Sequence, residues 1–268
     1  MNDKQAIVSV SDQFALKNQS DEVLKRILPT YKTAIRDITR QLESLPEGKV
    51  YREFWLKSQL KTIEQQFQQV SNRIYDVLPE GMADDFFRAI DNAEKYLEAG
   101  GISPGTGAAQ GQLTGATVGG ETVSQGFSFP DFADNQGFMR PTITRSQIAA
   151  VAREGGFKSF TPDILANWQK SQAGIIENTL RTGFLLGQTN EQIMREFGPL
   201  GPGRKGWAMT QTVVRTAMSE ASAEAHNAFW EANEELLPAV EDGYRWEWNA
   251  LNDTRLCSLC APLHGMKY

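Results

Sequence analysis

Cysteine and histidine are scarce in this chain, with two of each in 268 residues. Two cysteines make no disulfide framework, and two histidines leave little room for His-rich metal or acid–base chemistry. Long apolar runs are missing as well. No stretch approaches the roughly 18–20 apolar residues of a membrane span. The opening MNDKQAIVSVSDQFALKNQS lacks the uninterrupted apolar core of a secretory signal. The sequence therefore predicts no membrane partner and a reducing cytoplasm as its setting. Basic charge is also short, with 27 Lys and Arg against 33 Asp and Glu and a net charge of -6. Coating duplex DNA needs a cationic surplus that displaces counterions, so the balance argues against that class. What is present is ordinary in bulk: 40% hydrophobic and 22% charged residues, in a length that suits one large or two modest domains with a real core.

Charge is distributed unevenly. Residues 1–99 carry 14 basic and 16 acidic groups, 100–139 none and three, 140–210 nine and five, and 211–268 four and nine. The surplus of four positive charges in 140–210 is ordinarily a solvated face; a weak contact with DNA or an acidic protein is the alternative.

Residues 1–99 read as long helices. Leu24, Leu28, Tyr31, Ile35, Ile38, Leu42 and Leu45 follow a four-three spacing, a heptad seam. Pro29 should kink that helix or lie near its start, and Pro46 and Gly48 stop it. A second seam runs Leu56, Leu60, Ile63, Phe67, Val70, Ile74 and Val77, with Pro79 and Gly81 predicted to end it. Met82, Phe86, Ile90, Ala93 and Leu97 share one face of a third stretch, closed by Gly100 and Gly101. The pattern predicts an antiparallel helical hairpin or small bundle, 1–99, acting as an assembly domain. Leu56, Leu60, Ile63, Phe67, Val70 and Ile74 are its candidate partner-binding surface.

Residues 100–127 contain nine glycines and a single charged residue, Glu121. With 128–139 they read as a glycine-rich linker, since such sequence loses most entropy on ordering. A phosphate cradle would need a strand before the glycines, and here a helix precedes them. Helical patterning resumes after Met139. Ile143, Ile148, Val151 and Phe157 suggest one short helix. Ser159 or Thr161 caps the next, with Pro162 in its first turn and Ile164, Leu165, Trp168, Ile175, Ile176, Leu180, Phe184 and Leu185 on its apolar face. Gly187 ends it, and Asn190 caps a short helix after it. GPLGPGRKG at 198–206 reads as a loop, followed by a long helix from Trp207. YRWEWNA at 244–250 alternates and is aromatic, as a short strand would be, with Trp246 and Trp248 on one face. The predicted class is mainly α with a small β element (α+β) at the C-terminus. The helical domain of 140–268 would end in a short β-hairpin-like segment.

The last 60 residues carry the distinctive combination. A helix bears Arg215-Thr216, with Glu220, His226, Asn227 and Trp230 downstream, and WNALNDTRLCSLCAPLHG follows. Within it lie Trp248, Asp253, Arg255, Cys257, Cys260, Leu263, His264 and Gly265. Cys257 and Cys260 are spaced to share one ion, and His264 with His226 would complete a Cys2His2 zinc site. Free thiols packed under the strand, a disulfide and a Cys-His nucleophile are the other readings of the same residues. An arginine can fork onto a carboxylate, so Arg255 with Glu220, or Arg215 with Asp253, would make a polar latch between helix and hairpin.

These motifs resemble the phage head morphogenesis or minor capsid family typified by the F protein of phage Mu. GFLLGQTNEQIMREF is similar to the helix that precedes the family's Arg-Thr helix, and the resemblance covers about 160–268. Two departures stand out. Ala217 and Met218 intervene before the nearest acid, Glu220, and relatives carry further His and Cys beyond the glycine, where this sequence has Met266, Lys267 and Tyr268. The resemblance implies a structural, non-enzymatic protein of a tailed double-stranded DNA phage. It would be assembled in the bacterial cytoplasm and reside at the portal vertex of the virion head. The portal protein is its implied partner, with major capsid or scaffolding protein beside it, in several copies or as a homo-oligomer. Its implied roles are procapsid assembly and the retention and ejection of packaged DNA. Arg215, Thr216, Glu220, Trp248, Asp253, Arg255 and Gly265 would then be a fold signature with no catalytic residue. The runner-up reading is a metal-dependent nuclease or hydrolase built on Asp253, Cys257, Cys260 and His264.

Overall fold

The structure, a computed structural model, describes residues 3–45, 49–101, 132–133, 138, 140–197 and 202–233. Two compact units divide the chain, Met1–Ala232 and Asn233–Tyr268, and nearly all described residues lie in the first. In order, that unit contains α1 (Asp3–Glu43), α2 (Lys49–Ala99), β1 (Phe132–Ala133), β2 (Arg140–Pro141), α3 (Arg145–Arg153), α4 (Pro162–Leu185), α5 (Asn190–Glu196) and α6 (Pro202–Ala232). The fold is mainly α with a small β element. Among the described residues that β element is the antiparallel pair Phe132–Pro141 and Ala133–Arg140, at the end of the expected linker. The strand predicted at 244–250 lies outside the described residues.

The antiparallel hairpin is present but has two helices rather than three. α2 is one helix of 51 residues that runs through Pro79 and Gly81. A proline in a helix interior forfeits one hydrogen bond and costs about 3 kcal/mol. Burial outweighs it here: Leu78, Met82, Phe86 and Ile90 on either side are 0–1% exposed, each contributing about 1.5–3 kcal/mol. Gly81 is a point of contact, not a stop. A Cβ there would stand 2.5 Å from Val23 Cγ2 of α1 and 3.3 Å from Met218 Sδ of α6. α1 likewise passes unbroken through Pro29, which is exposed, so water can serve the carbonyl that the proline leaves unbonded.

The core is shared by hairpin and later helices. Tyr31 of α1 meets Phe67 of α2 at a centroid distance of 6.2 Å and Trp207 of α6 at 5.3 Å, and Phe67 meets Trp168 of α4 at 6.2 Å. The seam expected to receive partners is therefore inside this chain's own core. Leu56, Ile63, Phe67, Val70 and Ile74 are 0–3% exposed, and Leu60 is half-buried. A hairpin's apolar seam must find cover, and α4 and α6 supply it. The described parts of 1–99 and 140–232 accordingly lie within one compact unit.

Local signals set the remaining boundaries. Thr144 caps α3 in a capping box with Gln147, and Thr161 caps α4 ahead of Pro162. α5 is capped by Thr189, not by Asn190, whose amide has another task. Asn190 Nδ2 donates to Leu45 O at 2.8 Å, and Asn190 Oδ1 accepts from the buried Arg52 at 2.9 Å. Gly187, at φ +69, ends α4 as predicted. Leu185, expected on the apolar face of α4, is 76% exposed. α6 begins at Pro202 rather than Trp207, so Arg204, Lys205 and Gly206 are helical and not a loop. Gln172 Nε2 donates to Gly206 O at 3.0 Å, which ties that first turn to α4. Among the described residues, no helix is long and apolar enough to cross a membrane.

Candidate functional site

α6 carries Arg215, Thr216, Glu220 and His226, and the structure gives each of them a partner or a position. Arg215 Nη2 lies 3.2 Å from Asp21 Oδ1 of α1, with both side chains partly exposed. Burial pushes the Asp21 carboxyl up, but hydrogen bonds from Lys17 and Arg215 outweigh it and hold the group below its ordinary value. Thr216 is exposed. Glu220 accepts the backbone N–H of Lys158 at 2.8 Å and of Ser159 at 2.7 Å, and the Ser159 hydroxyl as well. One carboxylate thus pins the turn in which Phe157 bridges Phe160. Asp253 and Arg255, the latch partners expected for these two residues, lie outside the described residues. Among the described residues, the groups that Arg215 and Glu220 meet come from α1 and from the α3–α4 turn.

Glu224 follows one turn later. Its Oε2 is buried without a hydrogen-bond partner among the described residues. Burial raises its pKa, Glu220 and Glu231 add to the rise, and Lys158 opposes it. His226 is the only candidate zinc ligand within the described residues. Its Nε2 lies 3.8 Å from Asp12 Oδ2, with the side chain 28% exposed. Burial lowers its pKa, and Asp12 and Arg88 act on it in opposite senses. Cys257, Cys260 and His264 lie outside the described residues, as do Trp248, Asp253, Arg255 and Gly265. Among the described residues, no group of three His, Cys, Asp or Glu side chains is placed to hold a metal ion.

Sequence reasoning missed the cluster that His226 joins. Arg88 of α2 donates through Nε to Asp85 Oδ1 at 2.8 Å and to Gln19 Oε1 at 2.9 Å. It also bonds the Asp12 carboxylate and reaches Asp12 O at 3.2 Å. Asn92 Nδ2 donates to Asp12 Oδ1 at 2.6 Å. Asp85 is fully buried, and its Oδ2 has no hydrogen-bond partner among the described residues. Burial raises its pKa to about 6 against the pull of Arg88, and Asp12 reinforces the rise. A signal was available in the sequence: Asp85 stands between Met82 and Phe86 and Ala89 on the apolar side of α2, where a carboxylate needs a cation. Chemically this is a part-buried ionic clamp joining α1 and α2, with His226 of α6 beside it. The Asp85 carboxyl is closed off from solvent.

No protein-family profile, no curated protein and no solved structure matches the chain.

Proposed function

We propose that the chain is a minor capsid, or head morphogenesis, protein of a tailed double-stranded DNA bacteriophage, acting at the portal vertex of the virion head. The observation that carries the reading is WNALNDTRLCSLCAPLHG placed after a long helix that bears Arg215-Thr216. The mainly helical fold agrees with what that resemblance implies. Arg215 and Thr216 are also on the exposed side of α6, while Val214, Ala217 and Met218 face the core. In this reading the protein acts by assembly with the portal protein in procapsid formation and in retention and ejection of packaged DNA. It performs no chemistry of its own. Structural zinc on Cys257, Cys260, His264 and His226 belongs to the same proposal.

Co-purification with the portal protein of the same phage is the direct test. Capture of the portal from procapsids and from mixed lysates is expected, and failure in both sinks the assignment. Metal analysis under non-chelating conditions addresses the zinc separately: less than about a tenth of an equivalent removes it.

A further inference from the structure

The first five turns of α1 are built differently from the rest of the helix. Its first buried residue is Ser20, followed by Val23, Leu24 and Ile27. Before Ser20 the inward Ala6, Val8, Ala15 and Leu16 are only half-buried. Ile7, Val10 and Phe14 are 68%, 44% and 64% exposed. Part of the cause is geometric. Ile7, Val10, Phe14, Lys17, Asp21 and Leu24 continue, without a break, the four-three spacing of the seam beyond Leu24. A straight α-helix drifts about 20° per seven residues against that repeat. Over the residues from Tyr31 back to Phe14 the seam has turned by about 50°, which adds to the exposure of Phe14.

Polar contacts hold this arm to the body alongside its half-buried apolar side chains. Asp12 takes hydrogen bonds from Arg88 and from Asn92, the latter at 2.6 Å, and faces His226 of α6 at 3.8 Å. Arg88 also reaches Gln19 at 2.9 Å. These charged contacts meet the arm at Asp12 and Gln19, while Gln5 lies against Gly100, just past the end of α2, nearer the start of the arm.

We propose that residues 3–19 form a strap latched at Asp12, which opens as a unit back to Ser20 when the contact with Arg88 breaks, uncovering the α2 surface between Arg88 and Gly100. A released segment of this length is marginal as a helix in water, so opening is also local unfolding. The strap is independent of the head-protein reading.

Hydrogen–deuterium exchange on the full chain tests it, comparing peptides from 4–19 with peptides from 24–43. The amides of 4–19 are expected to exchange together, roughly tenfold or more faster than those of 24–43. Asp12→Asn should speed 4–19 by roughly another tenfold and leave 24–43 unchanged, because a charged hydrogen-bond partner is lost. Asn92→Ala, which removes one donor and no charge, should give a smaller acceleration in the same segment. Phe14→Ala should change nothing. Equal protection of the two segments overturns the proposal. So does unchanged exchange in both latch variants, an effect of Phe14→Ala equal to that of Asp12→Asn, or a global loss of structure in Asp12→Asn.

Discussion

Gly81 and Asp85 are four residues apart on α2, and each shows a residue acting through what lies opposite it. Alanine is the better helix former by about 1 kcal/mol, yet a Cβ at Gly81 meets Val23 Cγ2 at 2.5 Å. Gly81→Ala is expected to destabilise by about 1–3 kcal/mol, and Val23→Ala in the same chain should recover part of it; chemical denaturation of both variants measures this. Asp85 makes stability depend on pH. Burial holds it at about 6, above the 3.8 of an open chain. A carboxyl raised in the fold stabilises fully below its unfolded value, and that contribution is lost as pH rises through the folded one. The native chain should therefore lose stability relative to Asp85→Asn between about pH 4 and about pH 7, by on the order of 3 kcal/mol. His226 runs the other way. Its pKa is lowered from 6.5, so its contribution is present above that value and lost as pH falls. Melting curves of Asp85→Asn and His226→Gln across that range should show opposite changes in slope relative to the native chain.

The helices were legible where the pattern is periodic, and their breaks were misread where a single residue was taken as decisive. Thr161 with Pro162, and Gly187, mark ends of α4 because a cap and a left-handed turn are satisfied within a few residues. Pro79 and Gly81 carry the same local signals of termination, but the buried side chains around them belong to α1 and α6 as much as to α2. Pro29 is the clean case, being exposed inside α1. Pro29→Ala restores a backbone donor and removes no core contact. It is expected to stabilise by about 1–3 kcal/mol, read as a higher urea midpoint with an unchanged slope. The seams show a related limit. Spacing at Leu28 and Ile35 places them in line with Leu24 and Tyr31, yet both are only half-buried while Ile27 and Ala34 take the core positions. Helical drift across a long straight helix moves the buried stripe off a strict seven-residue repeat.

At the scale of the molecule the hairpin depends on its neighbours. Phe67 touches Tyr31 and Trp168, and Tyr31 touches Trp207, so α1, α2, α4 and α6 meet at one aromatic node. A fragment of residues 1–101 would leave the Leu56 to Ile74 seam uncovered. It is expected to show no cooperative thermal transition and to bind a hydrophobic dye; a sharp melt for that fragment would show that the hairpin folds alone. The charge clamp follows the same logic. Asp85 stands out on the apolar side of α2, but Arg88 and Asp12 read singly as ordinary helix charges, and only the packing of α1 on α2 brings the three together. By itself the sequence determined the helical class, both ends of α4, and the C-terminal motif that carries the functional proposal. These rest on periodicity, capping and spacing, which act within a few turns of chain. Only the tertiary structure decided that the second seam is core and not interface, that Pro79 and Gly81 lie within a helix, and that Arg215 and Glu220 bind Asp21 and the 158–159 backbone. Each of those outcomes depends on a surface brought from far along the chain, and local patterning carries no information about which surface that is.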